Sequence, residues 1–291
     1  MLTLSFAPFY AWPLALIIPA IFYWLLHHES IKRSLLIGWL FGVGFFGTSV
    51  SWVYVSISTY GPPNVFVAVI ITILFIAAIS LLFLILAAVL TGLYPHESVN
   101  KCFFAYPAIW VIFEIIRAKL FTGFPWVLLG LGQTSFPLGG YTPVFGVYFT
   151  SLICILISSF LFYLFYERKL KFRIINIIGI IILILIGYAL YQINWTKPTL
   201  DNSGEPQSAN IVLVQGNIPE YEKWDPNKQA YILETYLDLS KPALNNSNQL
   251  IFWPENAIPL FPQQAQPFLD KVSEVASKNY NAILDVLEKE K

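Results

Sequence analysis

Charge is scarce in this sequence. Only 12% of its 291 residues are Asp, Glu, Lys or Arg, against about 25% in an ordinary soluble domain, so water is not the solvent of most of the chain. Formal net charge is zero, and no basic cluster interleaved with aromatics stands outside the apolar runs, which argues against nucleic acid as a partner. Cysteine is nearly absent: Cys102 and Cys154 are the two present, and both lie inside apolar runs. Such cysteines read as small buried hydrophobes rather than reactive thiols, which need a partly exposed electropositive setting. They supply neither a disulfide framework nor a nucleophile. Three histidines leave little for metal binding. His27 and His28 are adjacent and face different directions at a helix end, so with Glu29 they read as a solvated loop, and no metal site is expected. The first 26 residues have no Lys or Arg ahead of their apolar stretch and no small-residue cleavage site, so they read as a retained span rather than a signal peptide.

Long apolar runs are what the sequence does have. A membrane helix needs about 20 predominantly apolar residues, because hydrocarbon offers no partner to a bare backbone. Six runs qualify as expected spans, at 6–26, 35–55, 65–90, 103–116, 143–166 and 174–193. The fourth is short and contains Glu114; the first contains Pro8, Pro13 and Pro19. Lys and Arg mark cytoplasmic loops. They gather in alternate loops, with Lys32 and Arg33 in 27–34, Lys101 in 95–101, and Arg168, Lys169, Lys171 and Arg173 in 167–173. The loop at 56–64 has none, while Arg117 and Lys119 begin the long segment that reaches residue 142. With the basic loops inside, everything after residue 194 is expected outside the cytoplasm.

Charge becomes frequent from Lys197 onward, so the chain divides into a membrane domain at 1–196, a polar linker at 197–209 rich in Pro, Asn, Ser and Gly, and a domain at 210–291. In the last part, strands are expected at 210–215, 249–253 and 282–286, and helices at 227–244 and 263–278. That alternation points to βαβ units and a mostly parallel sheet. About 80 residues complete only part of such a domain.

The sharpest position for chemistry is Glu255, in Leu250-Ile251-Phe252-Trp253-Pro254-Glu255-Asn256-Ala257-Ile258-Pro259. A parallel strand delivers its last residues to the carboxyl edge of the sheet, where open α/β folds put ligands. A carboxylate backed there by Phe252 and Trp253 is expected to be partly desolvated, which suits a general base; taken as an isolated Pro-Glu pair, it reads more readily as a solvated loop carboxylate. Glu114 and Arg117, three apart on one helix face, read either as a functional intramembrane pair or as an interfacial ion pair worth about 0.2–0.5 kcal/mol.

The Glu255 segment resembles the strand-end glutamate motif of the nitrilase superfamily. Val212-Leu213-Val214-Gln215-Gly216-Asn217-Ile218-Pro219 is similar to that superfamily's first strand and turn in the form used by apolipoprotein N-acyltransferases, and Lys223-Trp224-Asp225 to the family's Lys-Trp-Asp stretch. In the membrane half, Ser51-Trp52-Val53-Tyr54-Val55-Ser56-Ile57 and Thr122-Gly123-Phe124-Pro125-Trp126 resemble the family's span-end segment and its long outward loop.

The resemblance implies a multi-span α-helical membrane domain followed by an incomplete α/β nitrilase-like (α/β/β/α) periplasmic domain, in a bacterial inner-membrane enzyme that needs no cofactor. It further implies a phospholipid acyl donor, usually phosphatidylethanolamine, and a diacylglyceryl-modified apolipoprotein as acceptor, joined by a thioester mechanism built on Glu, Lys and Cys. Glu255 matches the base, Trp224 lies on an arm at the acyl entrance, and Trp126 belongs to a loop that either guides acyl chains or packs under the domain. The family's Lys and Cys find no match in these residues, and its flanking spans are absent, so the sequence reads as a fragment or a truncated product. An inactive remnant that at most binds lipid is the alternative. A transporter is disfavoured by the scarcity of polar mid-span residues.

Overall fold

The computed structural model describes residues 1–61, 64–196, 210–244, 249–277 and 282–284. The chain forms two compact units, Met1–Thr196 and Lys197–Lys291. The expected linker at 197–209 lies outside the described residues.

The first unit is helical: α1 (Leu14–Leu26), α2 (Ile31–Ser49), α3 (Val53–Tyr60), α4 (Val65–Leu93), α5 (Tyr106–Lys119, entered through a π-turn at Lys101–Ala105), the short α6 (Thr142–Phe145), α7 (Val147–Tyr166) and α8 (Leu170–Tyr191). Of the six expected spans, α4, α7 and α8 are single helices long and apolar enough to cross a membrane; α2 and α3 make a fourth if their pair, bent by 59°, counts as one. The other two runs fall short. Pro8 and Pro13 hold the first run out of helix until Leu14, leaving 13 residues, or about 20 Å against a hydrocarbon thickness of about 30 Å. In the fourth, α5 has 14 residues and includes buried Glu114 and Arg117. The 143–166 run is itself broken at Gly146, whose φ of +83° ends α6 before α7 begins.

Packing follows from small residues and hydroxyls. A Cβ on Gly38 would stand 2.4 Å from Phe83 O, and one on Gly42 would stand 2.9 Å from Ser80 Cβ. Glycine at both positions lets α2 and α4 lie backbone to backbone, the usual source of helix affinity where no hydrophobic difference from lipid exists. Ser158 Oγ donates to Leu16 O at 2.7 Å and Tyr106 Oη to Pro19 O at 2.8 Å, docking the proline-interrupted α1. Asn64 caps α4 by accepting from Phe66 N and Val67 N. An aromatic centre ties four helices together: Phe22 stacks on Phe41 at 4.2 Å, and Phe83 meets Trp110 edge-on at 5.2 Å.

The second unit contains β1 (Asn210–Leu213), α9 (Glu220–Lys223), α10 (Gln229–Leu244), β2 (Gln249–Phe252), α11 (Pro262–Ser277) and β3 (Ala282–Leu284). The strands form a parallel sheet in the order β1-β2-β3, with Val212 opposite Ile251 and Ile251 opposite Ile283. The strand positions follow the expected ones, although 285–286 lie outside the described residues. Val212, Val214, Ile251 and Trp253 pack against Ile232, Tyr236, Phe268 and Val272 of α10 and α11. On the opposite parity, Ile211 is 59% and Leu213 79% exposed, so one face of β1 remains uncovered.

Candidate functional site

Two groups of motif residues take shape, one in each unit. In the helical unit, the segments 51–57 and 122–126 are 65 or more residues apart in sequence yet meet through their aromatics. Trp52 contacts Trp126 at 6.0 Å and Phe124 at 6.5 Å, Phe124 stacks on Trp126 at 5.2 Å, and Phe75 of α4 closes the group against Phe124 at 5.3 Å. Trp126 is 50% exposed. The turn that presents it is tight: Phe121, Thr122, Gly123 and Val127 all have positive φ. At Gly123 a side chain would collide with Ala118 O at 2.1 Å, so only glycine fits there.

Gly123 N donates to Leu120 O and Phe124 N to Arg117 O, and Arg117 and Glu114 of α5 serve further backbone groups of the loop. The Arg117 guanidinium donates to Phe124 O at 2.9 Å, to Trp126 O, and to Val127 O at 3.4 Å, while its cation lies 5.5 Å from the Phe46 ring centroid. One Glu114 oxygen accepts from Leu129 N at 2.8 Å and from Trp110 Nε1 at 3.2 Å. Ser151 Oγ of α7 then accepts from Gly130 N at 2.8 Å. Both charged residues are buried, and no carboxylate–guanidinium contact within 4 Å joins them among the described residues. This corrects the expectation of an interfacial i,i+3 ion pair: each residue reaches past the other to the same loop. Nothing local in the sequence signals this, because the partners are backbone groups 7 to 15 positions later.

In the second unit, Glu255 follows β2 in a turn closed by Ala257 N donating to Pro254 O at 3.2 Å, with Asn256 at φ +58°. Val214 N donates to Phe252 O at 2.9 Å, so the exits of β1 and β2 run side by side. Lys223 Nζ reaches Glu255 O at 3.4 Å and Glu220 Oε2 at 3.8 Å. The three motif segments 212–219, 223–225 and 250–259 thus converge at the carboxyl edge of the sheet. Gly216 packs under the Tyr236 ring of α10, which would stand 2.7 Å from a Cβ there.

The desolvation expected for Glu255 does not occur in these residues. Glu255 is exposed, and Trp253 turns away into the helical core, where Nε1 donates to Ser240 Oγ at 2.9 Å. The strand alternation explains it: residue 253 falls on the parity of the covered face. Trp224 is likewise exposed. Cys102 and Cys154 are both fully buried, which leaves no accessible thiol among the described residues.

The family model for the apolipoprotein N-acyltransferase N-terminal domain matches residues 1–160. This chain belongs to the apolipoprotein N-acyltransferase family. An apolipoprotein N-acyltransferase of Coxiella burnetii is 40% identical over 98% of this chain and 57% of its own length. Those of Vibrio cholerae and Pseudomonas syringae are 33% and 35% identical over 97% of this chain and 54% of theirs. The chain therefore spans about half the length of the apolipoprotein N-acyltransferases it matches. The family match takes in the Trp52–Trp126 group, Glu114 and Arg117, and the similarity to whole relatives extends across the Glu255 turn.

Proposed function

We propose that these residues form the membrane domain and the opening part of the catalytic domain of an enzyme that transfers an acyl chain from a phospholipid, phosphatidylethanolamine in the first instance, to the α-amino group of a diacylglyceryl-modified apolipoprotein cysteine. The observation that carries the proposal is the convergence of Glu255, Lys223 and Trp224 at the carboxyl edge of a parallel sheet, the place where such sheets hold substrates, in a member of this family. The uncovered apolar face at Ile211 and Leu213 supports the two-sheet α/β/β/α architecture, since an apolar sheet face in water calls for a second layer.

In this mechanism Glu255 accepts the proton of a cysteine thiol supplied by the remainder of the enzyme. The thiolate attacks the phospholipid ester carbonyl, and a lysine, also outside these residues, donates to the tetrahedral oxyanion. Glu255 returns its proton to the departing lysophospholipid oxygen and a thioester remains; the substrate amine then attacks the thioester, Glu255 takes the amine's proton and the thiolate leaves and is reprotonated. Trp224 borders the acyl path, and the half-exposed Trp126, held stiffly on its loop, guides the acyl chain from the bilayer. Exposed Glu255 acquires the environment of a base once the rest of the domain covers the sheet edge. The basic loops support a cytoplasmic location for residues 167–173 and a periplasmic one, at the inner membrane, for residues after 196.

The test is acyl transfer by the complete coding sequence carrying Glu255→Gln. The amide preserves size and removes the base, so turnover with labelled phosphatidylethanolamine falls by about 10²–10⁴-fold, and the hydroxylamine-sensitive acyl-enzyme disappears while membrane insertion is unchanged. Near-normal thioester formation rejects the assignment. An alkaline phosphatase fusion after Ser203 is active in this orientation; silence there reverses it.

A further inference from the structure

A groove of about 1030 Å³ runs between α1 and α7, walled by Ile17, Ile21 and Trp24 on one side and Leu161 and Phe165 on the other, and it ends at Arg168 and Lys169. Ile17, Ile21, Trp24 and Phe165 are exposed, Phe165 at 81%, and α7 is among the helices long enough to cross a membrane. Apolar walls of this kind suit hydrocarbon, because empty walls forfeit dispersion contacts. From Ile17 to Trp24 it extends about 10 Å along the helix axis.

The end of the groove selects the headgroup. Residues 167–173 hold four cations and one carboxylate. That carboxylate, Glu167, accepts from Arg168 N at 2.9 Å and Lys169 N at 3.0 Å, while the Arg168 and Lys169 side chains are exposed and have no ion-pair partner among the described residues. Trp24, 63% exposed on the opposite wall, supplies an indole of the kind that settles at headgroup depth. Cations at the mouth of an apolar cleft beside the span α7 match a phosphodiester above an acyl chain, and a headgroup ammonium would be repelled there.

We infer that this groove is a binding site for one anionic phospholipid, with an acyl chain along Ile17, Ile21 and Phe165 and its phosphate against Arg168 and Lys169. The lipid is not the acyl donor of the proposed reaction. Ser151, which meets the Trp126 segment through Gly130, lies 17 residues before Arg168, about 25 Å away along α7. The inference therefore stands whether or not the acyltransferase reading holds.

The purified chain, in detergent, is offered equimolar phosphatidylglycerol and phosphatidylethanolamine with identical acyl chains, and bound lipid is read by native mass spectrometry. Phosphatidylglycerol should be retained roughly ten-fold over phosphatidylethanolamine. Its affinity should fall about five-fold for each of Arg168→Gln and Lys169→Gln, and the preference should vanish in the double variant. Ala20→Phe, which fills the groove, should reduce retention of both lipids, with thermal unfolding in lipid-free detergent as the folding control. Equal retention of the two lipids by the unaltered chain, undiminished phosphatidylglycerol binding by the double variant, or a protein dimer that excludes lipid would each overturn the site.

Discussion

The turn that presents Trp126 and the turn that presents Glu255 both carry motif residues on irregular backbone, and they are secured in opposite ways. Around Trp126, one buried guanidinium takes three carbonyls and one buried carboxylate takes the Leu129 amide. Around Glu255, the backbone is held by the Ala257–Pro254 turn bond and by long contacts from the uncharged Gln229 to Pro259 O and from Lys223 to Glu255 O. The difference follows from solvent. Where the Trp126 segment dips into the helical unit, at residues 128–130, the backbone is buried and has only protein to satisfy it, so charged residues are brought in as hydrogen-bond partners. At a wet sheet edge, water serves the exposed groups, and the carboxylate stays available for chemistry.

Removing Arg117 tests the contrast most severely. Arg117→Met leaves three carbonyls unserved and Glu114 buried without a nearby cation; the expected cost is about 3–5 kcal/mol, measured by unfolding in mixed micelles, with new protease cleavage between residues 120 and 128. A loss under about 1 kcal/mol would show that water enters the loop after all. Arg117→Lys should recover only part of the loss, because an ammonium cannot fork across three acceptors.

In the second unit the comparable buried contact is modest. Trp253→Phe deletes the bond to Ser240 Oγ and some core volume, while Ser240 still donates to Tyr236 O. About 1–2 kcal/mol of destabilisation is expected, read as a lower urea midpoint at unchanged slope. An unchanged midpoint would mean that the hydrogen bond and ring packing of Trp253 contribute little.

The smallest effect belongs to Glu255 itself. Glu255→Gln should shift stability by less than about 0.5 kcal/mol, as for other exposed positions, even where it abolishes turnover. A larger shift in thermal unfolding would make the carboxylate a structural element and blur the distinction between the two turns.

Much of the architecture is readable from local pattern. The apolar runs at 65–90, 143–166 and 174–193 mark α4, α7 and α8, and the alternation after residue 210 marks three strands within one or two positions. The run at 6–26 is too long as read, because proline shortens the helix inside an apolar stretch without making it less apolar; the run at 103–116, short as read, gives a 14-residue α5 that holds Glu114 and Arg117. Glu255 is singled out by its place after an expected strand and then by motif resemblance, and Trp126 by resemblance; composition alone leaves the first as a loop acid and the second as one of nine tryptophans.

By itself, the sequence determined that the first two thirds of the chain are dominated by apolar runs, that βα alternation follows, and that Glu255 comes just after a strand, because hydropathy and period are properties of neighbouring residues. Only the tertiary structure decided that Trp52 and Trp126 share one cluster, that Glu114 and Arg117 serve a loop instead of each other, and that Trp253 turns inward while Glu255 stays in water. Those outcomes depend on which distant backbone groups and side chains come within hydrogen-bonding or van der Waals reach, and that is fixed by how the elements pack.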